Sequence, residues 1–469
     1  MSQRLSSWVP FADAGSSGLP FPKLLRLSLF QVSVGMATVL LMGTLNRVMI
    51  VELGIAASLI AVMAALPVLI APFRALLGFK SDSYRSAIGW RRVPYLWFGS
   101  LWQFGGLAIM PFALIVLSGD QTLGPDWAGP LGAGLAFLMV GLGLHMTQTA
   151  GLALASDMAD EEARPRVVAF LYVMLLVGMG VSALIFGLLL QDFSKLQLIR
   201  VIQGAAVVTI ALNLVALWKQ EAVRPMSKEE RAAPAPVFKE AWADLMAGGR
   251  AGRLLLAVFV GTMGFAMQDI LLEPYGGEIL GLSVAETTRL TAFWAGGALV
   301  GFALAARRLG KGEDPIRIAA LGLVAGVIAF SAVVFAAPLG SATVFGIGAT
   351  LIGFGGGLFA VALLTVAMEL ASGADRAGLA LGAWGAASAT ATGLGVAAGG
   401  ILKDWISTLA SSGRFGPNFS DPAIGYQMVY HVEILLLFVT LIVIGRLVRR
   451  GERPSHSNST RIGLAEMPV

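Results

Sequence analysis

Twelve stretches of the chain stay apolar for about 20 residues or more, long enough to cross a hydrocarbon layer roughly 30 Å thick as helices. They fall near 28–50, 55–78, 94–118, 130–155, 167–190, 198–218, 254–273, 288–306, 316–337, 343–370, 377–402 and 426–448. None alternates polar and apolar residues as the shorter strands of a membrane barrel do. Lipid offers a backbone no water to bond, and a helix satisfies its own amides and carbonyls. The expectation is therefore an all-α integral membrane protein with twelve transmembrane helices. Composition agrees: 57% of the 469 residues are hydrophobic and only 13% are charged, about half the charged fraction of a soluble domain.

Charge placement predicts orientation. With both termini in the cytoplasm, 26 of the 33 lysines and arginines fall on cytoplasmic segments and six on the opposite side, while Arg74 lies within the second span. That is the positive-inside bias of a multi-pass protein of a bacterial inner membrane. It also accounts for the sequence pI of about 9.6, since the basic residues lie in strips beside helix ends and do not form a nucleic-acid-binding face. The first apolar run is too long for a cleavable signal peptide and follows a polar lead of 27 residues. There is no cysteine, which excludes disulfides, thiolate metal sites and cysteine nucleophiles.

The longest polar stretch between spans is 219–253, "KQEAVRPMSKEERAAPAPVFKEAWADLMAGGRAGR". Its charges and prolines mark a linker with room for one short surface helix, "FKEAWADLM". The chain divides into a cytoplasmic lead (1–27), a six-helix bundle (28–218), this cytoplasmic linker (219–253), a second six-helix bundle (254–448) and a cytoplasmic tail (449–469).

The bundles echo each other. Asn46, Arg47, Glu52 and Gly54 close the first span, and Gln268, Asp269, Glu273 and Gly276 close the seventh. Asp157 and Arg164 stand seven apart after the fourth span, and so do Glu369 and Arg376 after the tenth. Such internal symmetry is the trace of two related halves. Six plus six spans resembles the major facilitator superfamily. The loop motif of that superfamily is matched in part by "GFKSDSYRSAIGWRR", with Gly78, Asp82, Gly89, Arg91 and Arg92, but extra residues separate the acid from the second glycine.

Three longer segments carry a narrower resemblance: "LSLFQVSVGMATVLLMGTLNRVMIVELG" (27–54), "GFKSDSYRSAIGWRRVPYLWFGSLWQFGGLAIMPFAL" (78–114) and "QDILLEPYGGEILGLSVAETT" (268–288). They resemble the PucC/LhaA proteins of phototrophic purple bacteria, over essentially all twelve spans. The resemblance implies a membrane factor for assembling light-harvesting complexes, one that handles or delivers bacteriochlorophyll, helps insert pigment-binding polypeptides, or both. Its implied partners are those polypeptides, with pigment-synthesis or protein-insertion machinery, and the bilayer. Bacteriochlorophyll would be its cargo.

Read from the residues alone, three groups stand out. A charge inside a span usually faces the bundle interior and is paired or wetted. Arg47 and Asp269 occupy matching positions with opposite signs, and the expectation is that they approach each other at the periplasmic end of a central cavity. Asn46, Glu52, Gln268 and Glu273 would lie nearby, as a latch between the halves or as contacts to a polar ligand. His145, with Gln148 on the same helical face, suits axial ligation of a pigment metal or an interhelical hydrogen bond. Asp82, Arg91, Arg92, Asp157, Arg164, Glu369 and Arg376 form a cytoplasmic gate of salt bridges or ordinary solvated charge. His431 and Glu433 read as residues snorkelling at the start of the last span.

No nucleotide-binding loop of the G-x-x-x-x-G-K-S/T type occurs, and no cluster has metal-site spacing, so an enzyme is not expected. The alternative function is a proton-coupled secondary transporter working through Asp269 or Glu273. It is disfavoured because the acids of the spans sit toward their ends.

Overall fold

The computed structural model describes residues 14–69, 89–90, 92–118, 125, 127–160, 163–221, 249–371, 377–412, 414, 421, 423–445 and 447. Twelve helical segments follow in order. The first half holds α1 (Phe21–Glu52), α2 (Ala57–Leu69), α3 (Val93–Leu117), α4 (Ala128–Met158), α5 (Arg164–Leu189) and α6 (Lys195–Leu217). The second holds α7 (Arg250–Glu278), α8 (Val284–Gly310), α9 (Pro315–Ala336), α10 (Ala342–Ala371), α11 (Ala377–Ser411) and α12 (Ala423–Gly445). Eleven are long and apolar enough to cross a membrane, α2 being shorter over its described part. No strand occurs among the described residues. The chain is a multi-pass membrane protein.

Local chemistry sets the helix starts. Proline occupies the first turn of α3, α5 and α9, where its missing N–H costs nothing. Ser283 and Glu286 close a reciprocal capping box on α8. Asp314 accepts from the Ile316 amide at the start of α9, and Ser194 from that of Gln197 on α6.

The halves repeat their packing. In the first, α1 lies against α5 and α6, α2 against α4, and α3 against α4 and α6. In the second, α7 lies against α11 and α12, α8 against α10, and α9 against α10 and α12. The duplication seen in sequence is thus a duplication of helix pairings. The halves meet through α2 with α11 and through α5 with α8.

Within lipid, apolar burial does not drive helices together, so small residues that allow close approach decide the packing. Large apolar side chains such as Phe112, Leu188, Phe335 and Ile442 point outward instead. The α9–α10 crossing is reciprocal: a Cβ on Gly322 would sit 2.6 Å from the Gly355 carbonyl oxygen, and one on Gly355 2.6 Å from that of Gly322. At the α8–α10 crossing, a Cβ on Gly353 would overlap the Trp294 carbonyl.

We name the two ends of the bundle by the chain: the linker end, where α6 stops and α7 starts, and the far end, where α1 stops. At the linker end the helix begins earlier than the apolar pattern predicts, at Phe21, because Leu24 and Leu27 are fully buried. Ser17 anchors the preceding turn, donating from its hydroxyl (2.6 Å) and its amide (3.0 Å) to Asp160 at the end of α4. Glu221 beyond α6 accepts the Arg92 and Val93 amides and so caps α3.

Two outcomes follow. Gly353→Ala should destabilise the protein by about 1–3 kcal/mol through overpacking, whereas Gly346→Ala on the same helix, where a Cβ meets nothing, should be neutral; thermal unfolding in detergent reads both. Hydrogen bonds from Ser17 hold the Asp160 carboxyl below its ordinary value of 3.8. A carboxylate held low contributes at neutral pH and loses that contribution as pH falls through its folded-state value. Proteolytic release of the lead should therefore rise only at pH below 3.8, and at neutral pH in Asp160→Asn.

Candidate functional site

The first and seventh helices are irregular at matching places. In α1 the backbone widens into π-helical turns at Val39–Thr44 and Val48–Glu52, on either side of Leu45–Arg47. In α7 it tightens into a 3-10 turn at Met267–Ile270 before resuming at Leu272–Glu278. Such interruptions leave carbonyls outside the regular ladder and recur at functional sites. The two breaks face each other at the far end. Asn46 donates through Nδ2 to the Met42 carbonyl and, at 3.4 Å, to the Asp269 carbonyl.

Four hydrogen bonds between described residues join the halves here. Besides that of Asn46, Arg47 Nη2 donates to the Leu282 carbonyl at 3.1 Å, the hydroxyls of Thr44 and Thr288 lie 3.3 Å apart, and the Ser58 amide donates to Asp404 Oδ2 at 2.6 Å. Gly43 lets α1 pass the Glu273 carboxylate, which a Cβ would overlap. Glu273 Oε1 in turn accepts from Thr291 Oγ1 at 2.6 Å.

The expected Arg47–Asp269 ion pair does not form. Arg47 pairs with Glu52 of its own helix, because π winding brings a residue five positions on within reach of its guanidinium. The Asp269 carboxylate instead accepts from Gln268 Nε2. The two side chains are neighbours of one junction, and Arg47 is buried rather than lipid-facing.

Glu433 corrects a second expectation. It is fully buried and accepts from the Gln268 amide at 2.6 Å, while His431 is exposed and bonded to its own helix. The helix begins at Ala423, so Glu433 lies three turns inside it. Beside it stand Tyr275, Tyr426 and Tyr430, with ring centroids 5.4 and 5.5 Å from Tyr275. Tyr426 donates to Glu278 at 2.5 Å. Lys403, nearly buried, lies 3.8 Å from Glu278, 3.5 Å from Asp404 and 4.9 Å above the Tyr426 ring. Sequence reading missed Tyr275, Glu278, Lys403, Tyr426 and Tyr430. The spacing of Tyr426, Tyr430 and Glu433, i, i+4 and i+7, puts them on one helical face and was the available signal. A cavity of about 550 Å³ opens next to Lys403, lined also by Ser58, Glu278, Asp404, Ser407 and Asp421.

The other groups are placed as follows. His145 and Gln148 are half-buried on α4, each already engaged in an interaction. Arg92 Nε donates to Asp157 Oδ2 at 2.9 Å, tying the start of α3 to α4 within one half. Asp82, Arg91 and Arg376 lie outside the described residues, and Arg164 and Glu369 are described only as helix positions.

Arg47 is 4% exposed and Glu52 38%, so removing the acid leaves a buried guanidinium with one carbonyl partner. Glu52→Gln should cost about 1–3 kcal/mol, less than a fully buried pair because water reaches the carboxylate. Arg47→Met in the Glu52→Gln background should recover part of that loss in thermal unfolding.

Comparisons with known proteins now bear on this geometry. The fold is major facilitator superfamily-like, shared with solved membrane transporters. A bacterial homolog of the human lysosomal transporter Spinster, solved inward-facing and unoccupied, superposes with a TM-score of 0.64 at 15% identity, covering 90% of this chain and 95% of that one. In sequence, an "Uncharacterized protein in puhA-bchM intergenic region" of Rhodobacter capsulatus is 60% identical over 466 residues, 99% of this chain and 97% of that protein. "Protein PucC" of the same organism is 50% identical over 460 residues, 97% of this chain and 98% of its own length. The family described as PUCC protein matches residues 44–452, from the α1 break to beyond α12. The chain belongs to the PucC family.

Proposed function

We propose that the protein is an assembly factor for photosynthetic light-harvesting complexes of a bacterial inner membrane, handling bacteriochlorophyll, the pigment-binding polypeptides, or both. Family membership across residues 44–452 carries this reading. Geometry supports an apolar cargo. Along α11, residues 384–390 are each half-buried, and a Cβ on Gly385 would meet nothing. Gly385, Ala386, Ala387, Ser388 and Ala389 in that stretch are small, and a planar macrocycle would call for a surface of such residues. On this reading His145, with Gln148 beside it, would exchange its present partner for a pigment metal. The reading assigns the chain no catalytic step. Both termini and the linker face the cytoplasm, which gathers the basic residues on that side.

The full chain purified in mild detergent from pigmented cells should carry bacteriochlorophyll absorbance and short membrane polypeptides, and His145→Leu should lower the absorbance. Neither copurifying, with solute accumulation in proteoliposomes under a pH gradient, would favour the carrier instead. The buried Glu433 favours that second reading more than the sequence did, since carriers keep ionisable groups deep. Orientation is read separately. In this cysteine-free chain, Ser227→Cys should label only from the cytoplasm and Ser412→Cys only from outside.

A further inference from the structure

The cavity of about 550 Å³ beside Lys403 lies on the α2–α11 seam between the halves, and eight of its nine lining residues are polar. It stands where α2 starts at Ala57, α7 ends at Glu278 and α12 starts at Ala423. Spans that start and stop together lie at a membrane boundary. Trp405, exposed on α11, is the kind of aromatic residue that sits at headgroup level. The volume is that of a small-molecule site, roughly 300–1,000 Å³.

Lys403 is 9% exposed and borders this cavity. Its Nζ lies 3.5 Å from Asp404 Oδ1 and 3.8 Å from Glu278 Oε2, beyond the roughly 2.7–3.2 Å of an N–H···O bond. Two carboxylates and the Tyr426 ring meet its charge, but its three N–H donors have no acceptor. The acids carry the opposite deficit. Asp404 Oδ2 is spent on the Ser58 amide, Glu278 Oε2 on the Tyr426 hydroxyl and Asp421 Oδ1 on the Ala423 amide. Glu278 Oε1 and Asp421 Oδ2 accept no hydrogen bond among the described residues. Three carboxylates against one ammonium leave the wall negative. The hydroxyls of Thr408 and Ser411 bond back to their own helix. Ser407 Oγ has no partner and faces Gly425 of α12, where a Cβ would overlap it.

A ligand with an oxyanion for Lys403 and an ammonium for Glu278 and Asp421 answers both deficits, and position selects a lipid. Leu394, Ile401 and Trp405 are exposed along one face of α11, and that face continues to Thr408, exposed at the cavity. Acyl chains laid on this stripe bring a headgroup to the cavity. We propose that the cavity binds the headgroup of a phosphatidylethanolamine from the leaflet at the far end, its phosphate on Lys403 and its ammonium between Glu278 and Asp421. Ala56 and Ser58 come from the first half and the other lining residues from the second, so the bound headgroup bridges the halves. The site does not depend on the assembly reading.

The test uses the full chain, stripped of lipid in detergent and given phosphatidylethanolamine, phosphatidylcholine or phosphatidylglycerol, with bound lipid counted by native mass spectrometry. Phosphatidylethanolamine should bind saturably at one molecule per chain. Phosphatidylcholine, whose ammonium has no N–H, and phosphatidylglycerol, which has no ammonium, should bind roughly tenfold more weakly. Lys403→Met and Glu278→Gln should each weaken phosphatidylethanolamine by a similar factor. Arg200→Ala, which removes an exposed far-end cation on α6, should not. If Lys403→Met fails to fold, Asp421→Asn, which keeps an oxygen to cap α12, serves in its place. No binding, equal binding of the three lipids, or binding unchanged in Glu278→Gln overturns the proposal. Free phosphoethanolamine held as tightly as the lipid overturns the membrane as its source.

Discussion

Where α1 and α7 cross near the far end, polar groups must find partners in a place water does not supply them. The rest of the arrangement follows from how that is met. Each helix gives up regular winding at the crossing, and the freed carbonyls and polar side chains bond across the halves. In lipid, irregular backbone persists only when buried in protein or lining a cavity. The two breaks therefore have to lie against each other, and closing the far end is what shelters them.

The duplication is faithful in packing and unfaithful in chemistry. Helix pairings recur half for half, yet the first half carries an arginine paired within its own helix, while the second carries Asp269, Glu273 and Glu433, which form no ion pair within 4.0 Å among the described residues. A duplicated scaffold needs only conserved small-residue crossings to keep its shape. Its polar positions are then free to diverge. The asymmetry gathers carboxyl groups at the interface, on the side of the second half, and this distinguishes the site from a simple latch of opposite signs.

For function, the shared fold is a weak guide, because one architecture serves many chemistries. The Spinster homolog shares it at 15% identity, whereas relatives at 50–60% identity align from end to end. Membership in the PucC family rests on the latter. The polar junction is a property of this chain's own side chains.

Helix number, the division into halves and the membrane setting were legible in the sequence because they depend on runs of apolar residues and on turns between them, which are local. Asn46, Arg47, Gln268, Asp269 and Glu273 stood out for a similar reason: a polar residue in an apolar run is conspicuous wherever it folds. Partnership was not legible. Arg47 chose Glu52 over Asp269 because of a π turn that no residue pattern announces. Glu433, which the apolar pattern set near a surface, became the most deeply buried acid of the junction because α12 starts earlier and α7 breaks beside it. The sequence by itself determined which segments cross the membrane and which polar groups enter it. Only tertiary structure decided which of those groups meet, since hydrogen-bond and ion-pair partners are fixed at ångström scale by helix rotation and winding, and these depend on every neighbour at once.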